Sequence, residues 1–230
     1  MVTKKDIRNN KKNGSWRVLE SLAKDIIDDI ETKTGGVFKP RLGGGIRLTL
    51  DLDHRISHGL DLFINNAQLI STISPRKNDN VDKMVDDYEE NTDRIKLNFH
   101  AGDIYFIVRW SLLSLPTEKS IHTSLALEPI AEVLSKKLFY RGAAMTPSDL
   151  FDWWAIDTLR PDIVPAAKMG DLLKKRCVGI NNSLNMLSHS QAAQRYWNEI
   201  LAPDKPEMND VINWGRRRLD YYHSKMRYDS

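Results

Sequence analysis

Apolar positions recur at helical spacing near the start of the chain and throughout its second half. In residues 15–33 they lie three or four positions apart, with Ser15 before them and Gly35 after them, which predicts an amphipathic helix. The same periodicity from Glu128 onward predicts helices at 128–141, 149–159, 169–177, 188–201 and 209–225. The second half is therefore predicted to be helical.

Shorter apolar runs fill the first half. Apolar and polar residues alternate over 46–52, a pattern that by itself predicts a strand, and the run at 60–64 predicts a buried strand. Two strand-like runs, 95–99 and 104–110, flank the sequence His-Ala-Gly-Asp and predict a hairpin. Residues 65–91 predict a helix, a turn at Ser74-Pro75 and a second, acidic helix.

This order of elements predicts a mixed α/β (α+β) protein. We expect a small mixed β-sheet with flanking helices in residues 1–118, followed by a helical bundle in residues 119–230. With 230 residues, of which 41% are apolar, the chain is long enough for a large core or two small domains.

The composition indicates the cellular compartment better than it indicates the reaction. The single cysteine excludes an internal disulfide framework and fits a reducing compartment. No apolar run approaches the roughly 20 residues that cross a bilayer, and no apolar segment follows the basic N-terminus. We therefore expect a cytoplasmic protein without a membrane partner.

Basic residues cluster at both ends, although the net charge is only +3. The clusters are Lys4, Lys5, Arg8, Lys11 and Lys12, and Arg216, Arg217, Arg218, Lys225 and Arg227. Such clusters can neutralise phosphates and hold RNA or DNA, or they can simply keep the ends solvated.

A glycine pair followed by a polar motif provides the main candidate site. Two glycines before a helix let backbone N–H groups approach a phosphate closely. The motif consists of Gly44, Gly45, His54, Arg55, Ser57, Asp61 and Phe63. In this order the residues resemble the AbiEii/AbiGii nucleotidyltransferase toxin family. A later hairpin, 95–108, and a final motif with Lys137, Asp149 and Asp152 extend the resemblance over about half the chain.

The resemblance implies a polymerase-β-like nucleotidyltransferase fold, with a helix rather than a strand at Ile46–Asp53. It also implies transfer of a nucleotide from an NTP substrate to an RNA (tRNA) or protein acceptor, in a toxin–antitoxin or phage-defence system with an antitoxin partner. Two Mg²⁺ ions would assist, held by carboxylates two residues apart on a strand.

The resemblance also implies a role for each residue of the motif. Asp61 would bind the metal, and Lys137 would contact the nucleotide's phosphates. The remaining residues are the nucleotide-binding Gly44, Gly45, Arg55 and Ser57, and Asp149 and Asp152, which would complete the catalytic site.

Three positions depart from the family pattern. Gly59 and Tyr105 stand where metal-binding carboxylates are expected, and Ser148 stands where an arginine is usual. Asp103 shares a strand face with Tyr105 and is the candidate substitute ligand. The alternative hypothesis is therefore a catalytically inactive homologue that binds nucleotide, a protein or nucleic acid.

Overall fold

The computed structural model describes residues 2–226, which form two compact units. The sheet unit comprises Lys4–Trp110 and Pro116–Glu128, and the helical unit comprises 2–3, 111–115 and 129–226. The predicted mixed α/β fold with a helical second part is confirmed. No helix within residues 2–226 is long and apolar enough to cross a membrane.

The sheet unit contains five helices and seven strands among the described residues. Its helices are α1 (Lys4–Asn13), α2 (Trp16–Thr34), α3 (Gly44–Leu52), α4 (Gln68–Ile73) and α5 (Asp79–Asp82). Its strands are β1 (Arg41–Gly43), β2 (Leu60–Ile64), β3 (Asp87–Asn91), β4 (Arg94–Phe99), β5 (Gly102–Val108), β6 (Glu118–Ser120) and β7 (Thr123–Leu127).

The strands form one mixed sheet in the order β3-β4-β5-β2-β1-β7-β6. Strands β2 and β5 run parallel, as do β1 and β7, and the other neighbours are antiparallel. The sequence prediction divides the chain after residue 118, whereas the sheet unit continues to Glu128 because β7 pairs with β1.

One face of the sheet forms the core with α2. Alternation along β2 buries Leu60, Leu62 and Ile64, while Asp61 and Phe63 point to the other face and stay half-buried. The predicted helix α2 is confirmed, and Gly35 closes it in the left-handed conformation at φ 64°. The opposite, polar face is thus left to the candidate site.

Helix α3 occupies the segment whose alternation predicts a strand, so that prediction is wrong and the helix implied by the resemblance is confirmed. Every residue from Gly44 to Leu50 is buried, including Arg47 and Thr49. A helix that is buried on all sides shows no 3.6-residue periodicity, which explains why the pattern misleads.

The second, acidic helix predicted within 65–91 is also wrong. Helix α4 is present, but Asn78 caps only a short α5, and Asp87–Asn91 pairs with β4 as an edge strand. The predicted hairpin of β4 and β5 is confirmed. The short elements α1, β6 and β7 were not anticipated from the sequence.

The helical unit contains six α-helices among its described residues. They are α6 (Ile130–Arg141), α7 (Pro147–Leu159), α8 (Ala166–Leu173), α9 (Cys177–His189), α10 (Gln191–Glu199) and α11 (Met208–Ser224). The helix predicted at 188–201 is present as α10, which begins only at Gln191 because the Ser190 hydroxyl accepts from Ala193 N and caps it. Helix α9, which precedes it, was not predicted.

Arg47 is the main buried charge of α3, with none of its side chain exposed. Its guanidinium donates to the Glu128 carbonyl at 2.5 Å, to Asp51 at 2.7 Å and to Glu118 at 2.5 Å. It therefore links α3 to the end of the sheet unit.

Replacing Arg47 with methionine should lower the free energy of unfolding by about 2 kcal/mol, because the buried Glu128 carbonyl loses its donor. The two carboxylates are 33% and 44% exposed and can be solvated instead. Urea denaturation measures the effect, with Arg8→Met as the control. Arg8 is 69% exposed and lies 3.4 Å from Asp53, so its loss should change little. Equal midpoints for the two variants would contradict the assignment.

Candidate functional site

The glycine turn, Gly43–Gly45, joins the end of β1 to the start of α3. Gly44 has φ 62°, a left-handed conformation that favours glycine. A Cβ on Gly44 would lie 1.6 Å from Asp61 Oδ2, which is far inside contact distance. Gly43 pairs with Asp61 across β1 and β2. The Asp61 carboxylate therefore packs directly against the first turn of α3.

Arg55 and Ser57 return to the same turn although they follow it by ten or more residues. A Cβ on Gly45 would lie 2.3 Å from Ser57 Oγ and 2.7 Å from an Arg55 guanidinium nitrogen. The Thr49 hydroxyl lies 2.8 Å from the Arg55 carbonyl and 2.9 Å from the Gly45 carbonyl, which holds the loop to α3. The structure thus brings Gly44, Gly45, Arg55, Ser57 and Asp61 together.

The positions that depart from the family pattern lie beside Asp61 on the open face of the sheet. Asp61 is in register with Tyr105 of β5, and Tyr105 is in register with Lys96 of β4. A Cβ on Gly59 would meet the Tyr105 ring at 3.5 Å and the Asp103 carbonyl at 3.8 Å, both ordinary contacts. A side chain at Gly59 therefore has room beside Tyr105.

Asp103 shares a face with Tyr105, as the strand period predicts. The Tyr105 hydroxyl donates to Asp103 Oδ2 at 3.3 Å, and Lys96 Nζ lies 3.5 Å from the same oxygen. Burial raises the pKa of Tyr105, and the Asp103 carboxylate raises it further. Tyr105 is therefore a neutral hydrogen-bond donor at physiological pH.

The side chains around Asp61 do not fit the pair of magnesium ions that the resemblance implies. Two adjacent divalent cations need several anionic oxygen ligands. Beside Asp61, Tyr105 and Gly59 supply no carboxylate, and the Asp103 carboxylate already faces the Lys96 ammonium. Within residues 2–226, no group of three or more His, Cys, Asp or Glu side chains is arranged to hold a metal ion.

The helical unit holds the last predicted residues in one ion-pair cluster. Lys137 Nζ lies 2.7 Å from Asp149 Oδ1 and 3.0 Å from Asp152 Oδ2, and both carboxylates are almost fully buried. Arg141 also donates to Asp149. Thr146 and Asp149 form a reciprocal capping box at the start of α7, with Thr146 Oγ1 2.8 Å from Asp149 Oδ2. Asp149 and Asp152 lie one turn apart, as predicted.

Asp149 is held in its charged form. Burial would raise the pKa of its carboxyl, but Lys137 and Arg141 outweigh burial and lower the pKa from 3.8 to about 2. Sequence reasoning missed Arg141, whose position at the end of α6 gave no motif signal. It likewise missed Lys96, because only the register of β4 against β5 reveals its place.

The basic ends of the chain are partly used in internal contacts. In α1, Lys11 and Arg8 pair with Asp53 at 2.7 and 3.4 Å. In α11, Arg218 pairs with Asp157 and lies over the rings of Tyr221 and Tyr222. Arg227 lies outside the described residues.

Comparisons with known proteins identify the fold. Over 100% of this chain and 92% of the other, it resembles MenT4, a nucleotidyltransferase toxin from Mycobacterium tuberculosis H37Rv, with 13% identical residues and a TM-score of 0.53. JHP933 from Helicobacter pylori matches 90% of this chain and 91% of its own, with 13% identical residues and a TM-score of 0.50. No protein-family model and no curated protein matches the sequence. The predicted nucleotidyltransferase fold is confirmed.

The lowered pKa of Asp149 predicts a specific pH dependence of stability. A carboxyl whose pKa is lower in the folded protein stabilises the fold above its unfolded pKa, near 4, and loses this contribution as the pH falls towards 2. The contribution should be about 2 kcal/mol. The difference in unfolding free energy between wild type and Asp149→Asn should therefore shrink as the pH falls from about 5 to about 2.

Urea denaturation over this pH series measures that difference. The matched control is Asp220→Asn, an exposed position on α11. Its difference from wild type should stay constant. A pH-independent difference for Asp149→Asn would show that the ion pairs do not hold Asp149 charged.

Proposed function

We propose that this chain is a nucleotidyltransferase-like protein that binds the triphosphate of a nucleoside triphosphate at the glycine turn. The observation that supports this is the convergence of the Arg55 guanidinium and the Ser57 hydroxyl on Gly45, at the N-terminus of α3. A guanidinium forms strong charge-assisted bonds with phosphate, and the N-terminus of a helix favours an anion.

Each residue of the turn has a separate role in this proposal. Gly44 and Gly45 let the backbone N–H groups approach the phosphates, Arg55 supplies charge, and Ser57 supplies a hydroxyl donor. For the helical unit we propose that Asp149 and Asp152 orient the Lys137 ammonium as a phosphate ligand. Their short, buried ion pairs with Lys137 support an orienting role.

The replaced carboxylates favour nucleotide binding without two-metal transfer. Gly59 and Tyr105 leave too few anionic oxygens on the open face of the sheet for a pair of magnesium ions. In this interpretation the chain is a catalytically inactive homologue whose role is binding, and a protein or nucleic acid is the further partner.

A second candidate function is nucleotidyl transfer to an RNA (tRNA) or protein acceptor. Asp61 favours it, because this carboxylate is present and packs against the turn that would hold the triphosphate. The toxin activity in the name of MenT4 agrees with a toxin–antitoxin or phage-defence setting, in which an antitoxin would be the protein partner.

Gly45→Ala should weaken NTP binding at least about tenfold, because the new Cβ would displace Ser57 and Arg55 from the turn. Arg55→Gln should weaken binding similarly while leaving the turn itself unchanged. Calorimetric titration with NTP measures both, and Gly36→Ala is the matched control. At Gly36 the nearest atom to a new Cβ is Thr34 Oγ1 at 3.7 Å, so affinity should not change. Full affinity in Gly45→Ala and Arg55→Gln would exclude the glycine turn as the site.

The two candidate functions differ in what restoring the carboxylates should do. With α-labelled NTP, Mg²⁺ and RNA, we expect wild type to transfer no label. The Gly59→Asp, Tyr105→Asp double variant should bind NTP more tightly when Mg²⁺ is added, because the added carboxylates supply metal ligands. Transfer by wild type that Asp61→Ala abolishes would instead establish the transferase. Circular dichroism of each variant provides the folding control.

A further inference from the structure

One face of helix α1 carries all the basic residues of that helix. Because successive residues turn by about 100°, the five basic side chains fall within an arc of about 120° around the helix axis. Asp6, the acidic residue of α1, lies on the opposite side. The basic residues therefore form a single stripe, the basic face of α1, which consists of Lys4, Lys5, Arg8, Lys11 and Lys12.

Much of this basic face is available to a ligand. Lys5 and Lys12 are exposed and form no ion pair with any described residue. Arg8 has 69% of its side chain exposed, and its guanidinium lies 3.4 Å from the Asp53 carboxylate. Lys11 pairs with the same carboxylate at 2.7 Å and is only 12% exposed. A single carboxylate can offset only one of these two charges, so the face keeps a positive excess.

The second basic cluster, in α11, is arranged differently. Arg216, Arg217 and Arg218 are consecutive, so their side chains point about 100° apart around the helix. Arg218 is only 18% exposed and pairs with Asp157 of α7, so it serves the packing of the helical unit. The two clusters look alike in the sequence, but in the structure only the cations of α1 share one exposed face among the two clusters' described residues.

The chemistry of the basic face favours a linear polyanion. Residues four apart in sequence are about 6 Å apart along a helix, so Lys4, Arg8 and Lys12 place cations at regular intervals along one line. The phosphodiester backbone repeats one negative charge per nucleotide and is bound mainly by such cations. Ile7 is the one apolar residue within Lys4–Asn13, and it is fully buried, so α1 has no apolar side to insert into a membrane surface. The face therefore fits a nucleic acid strand.

Helix α1 packs against α3, which places the basic face relative to the glycine turn. Asp53 caps the C-terminal end of α3 and contacts both Lys11 and Arg8, whereas the glycine turn lies at the start of the same helix. The nine residues of α3 span about 13 Å. A strand bound to the basic face would therefore pass the end of α3 that is opposite to the glycine turn.

We propose that the basic face of α1 binds the phosphodiester backbone of a nucleic acid strand. No residue of the glycine turn belongs to this face, so the inference goes beyond the proposed nucleotide site and does not depend on it. Lys5 and Lys12 supply exposed charges, and Arg8 exchanges its long contact with Asp53 for a phosphate. Lys11 stays paired with Asp53 and keeps α1 on α3 while the strand is bound.

Fluorescence anisotropy of a labelled single-stranded RNA, titrated with the full chain, tests the inference. The Lys5→Gln, Lys12→Gln double variant should bind about tenfold more weakly, because two phosphate contacts are lost. The slope of log affinity against log salt concentration should fall in magnitude by about 1.4. The Lys5→Arg, Lys12→Arg variant keeps both charges and should bind as wild type does.

The matched control is the Lys39→Gln, Lys83→Gln double variant. Both lysines are exposed, belong to the sheet unit and lie outside α1, so this variant loses the same charge and should bind RNA as wild type does. Single-stranded DNA of the same sequence distinguishes the two sources of the backbone. Weaker binding of either strand by the α1 variant supports the proposal, and the strand that binds more tightly identifies the source.

Three results would overturn the inference. The first is equal affinity of wild type and the Lys5→Gln, Lys12→Gln variant for both strands. The second is an equal loss in the control variant, because net charge alone would then set the affinity. The third is equally tight binding of polyglutamate, which would show attraction to any polyanion, including an acidic protein. The α1 variant should bind NTP as wild type does, so the two proposals can fail separately.

Discussion

The packing of Asp61 against the first turn of α3 is the constraint on which the candidate site depends. The Asp61 carboxylate occupies the space that a side chain on Gly44 would need, and Gly43 is paired with Asp61 in the sheet. The start of α3 and the strand β2 therefore cannot separate without breaking that pairing. The segment between them must return to the turn, and this return places Arg55 and Ser57 at Gly45.

Charge compensation sets a second constraint within each unit. In the sheet unit, buried Arg47 is stabilised by the Glu128 carbonyl and two partly exposed carboxylates. In the helical unit, buried Glu132 accepts from the backbone of Leu112 and Leu113 at 2.6 and 2.9 Å. A buried charge without such partners would cost several kcal/mol. These polar groups therefore specify where the connecting segments lie.

The sequence predicts the elements whose patterns arise from a single buried face. Helix α2, strand β2 and the hairpin of β4 and β5 show such patterns and were predicted correctly. The pattern was misleading at α3, because this helix is buried on all sides. The motif order of the resemblance indicated a helix there. The three-residue strand β6 is too short for any periodicity to appear.

The candidate site was predictable to the extent that its residues are close in sequence. The convergence of Gly45, Arg55 and Ser57 follows from one continuous motif. Lys96 and Arg141 were not predictable in this way. Lys96 reaches Asp103 through strand register, and Arg141 reaches Asp149 through the packing of two helices. Neither relationship is encoded in local spacing.

The arrangement around Tyr105 separates phosphate binding from phosphoryl chemistry. A divalent cation both attracts phosphate and stabilises the attacking and leaving oxygens of the transfer. A lysine ammonium attracts phosphate, but it has one charge and no open coordination positions to share between those oxygens. Tyr105 donates to Asp103, and Lys96 pairs with the same carboxylate and with Glu89, so these side chains are used in internal contacts. In the proposed function, affinity for the triphosphate therefore comes from the glycine turn with Arg55 and Ser57, and not from the row of residues around Tyr105.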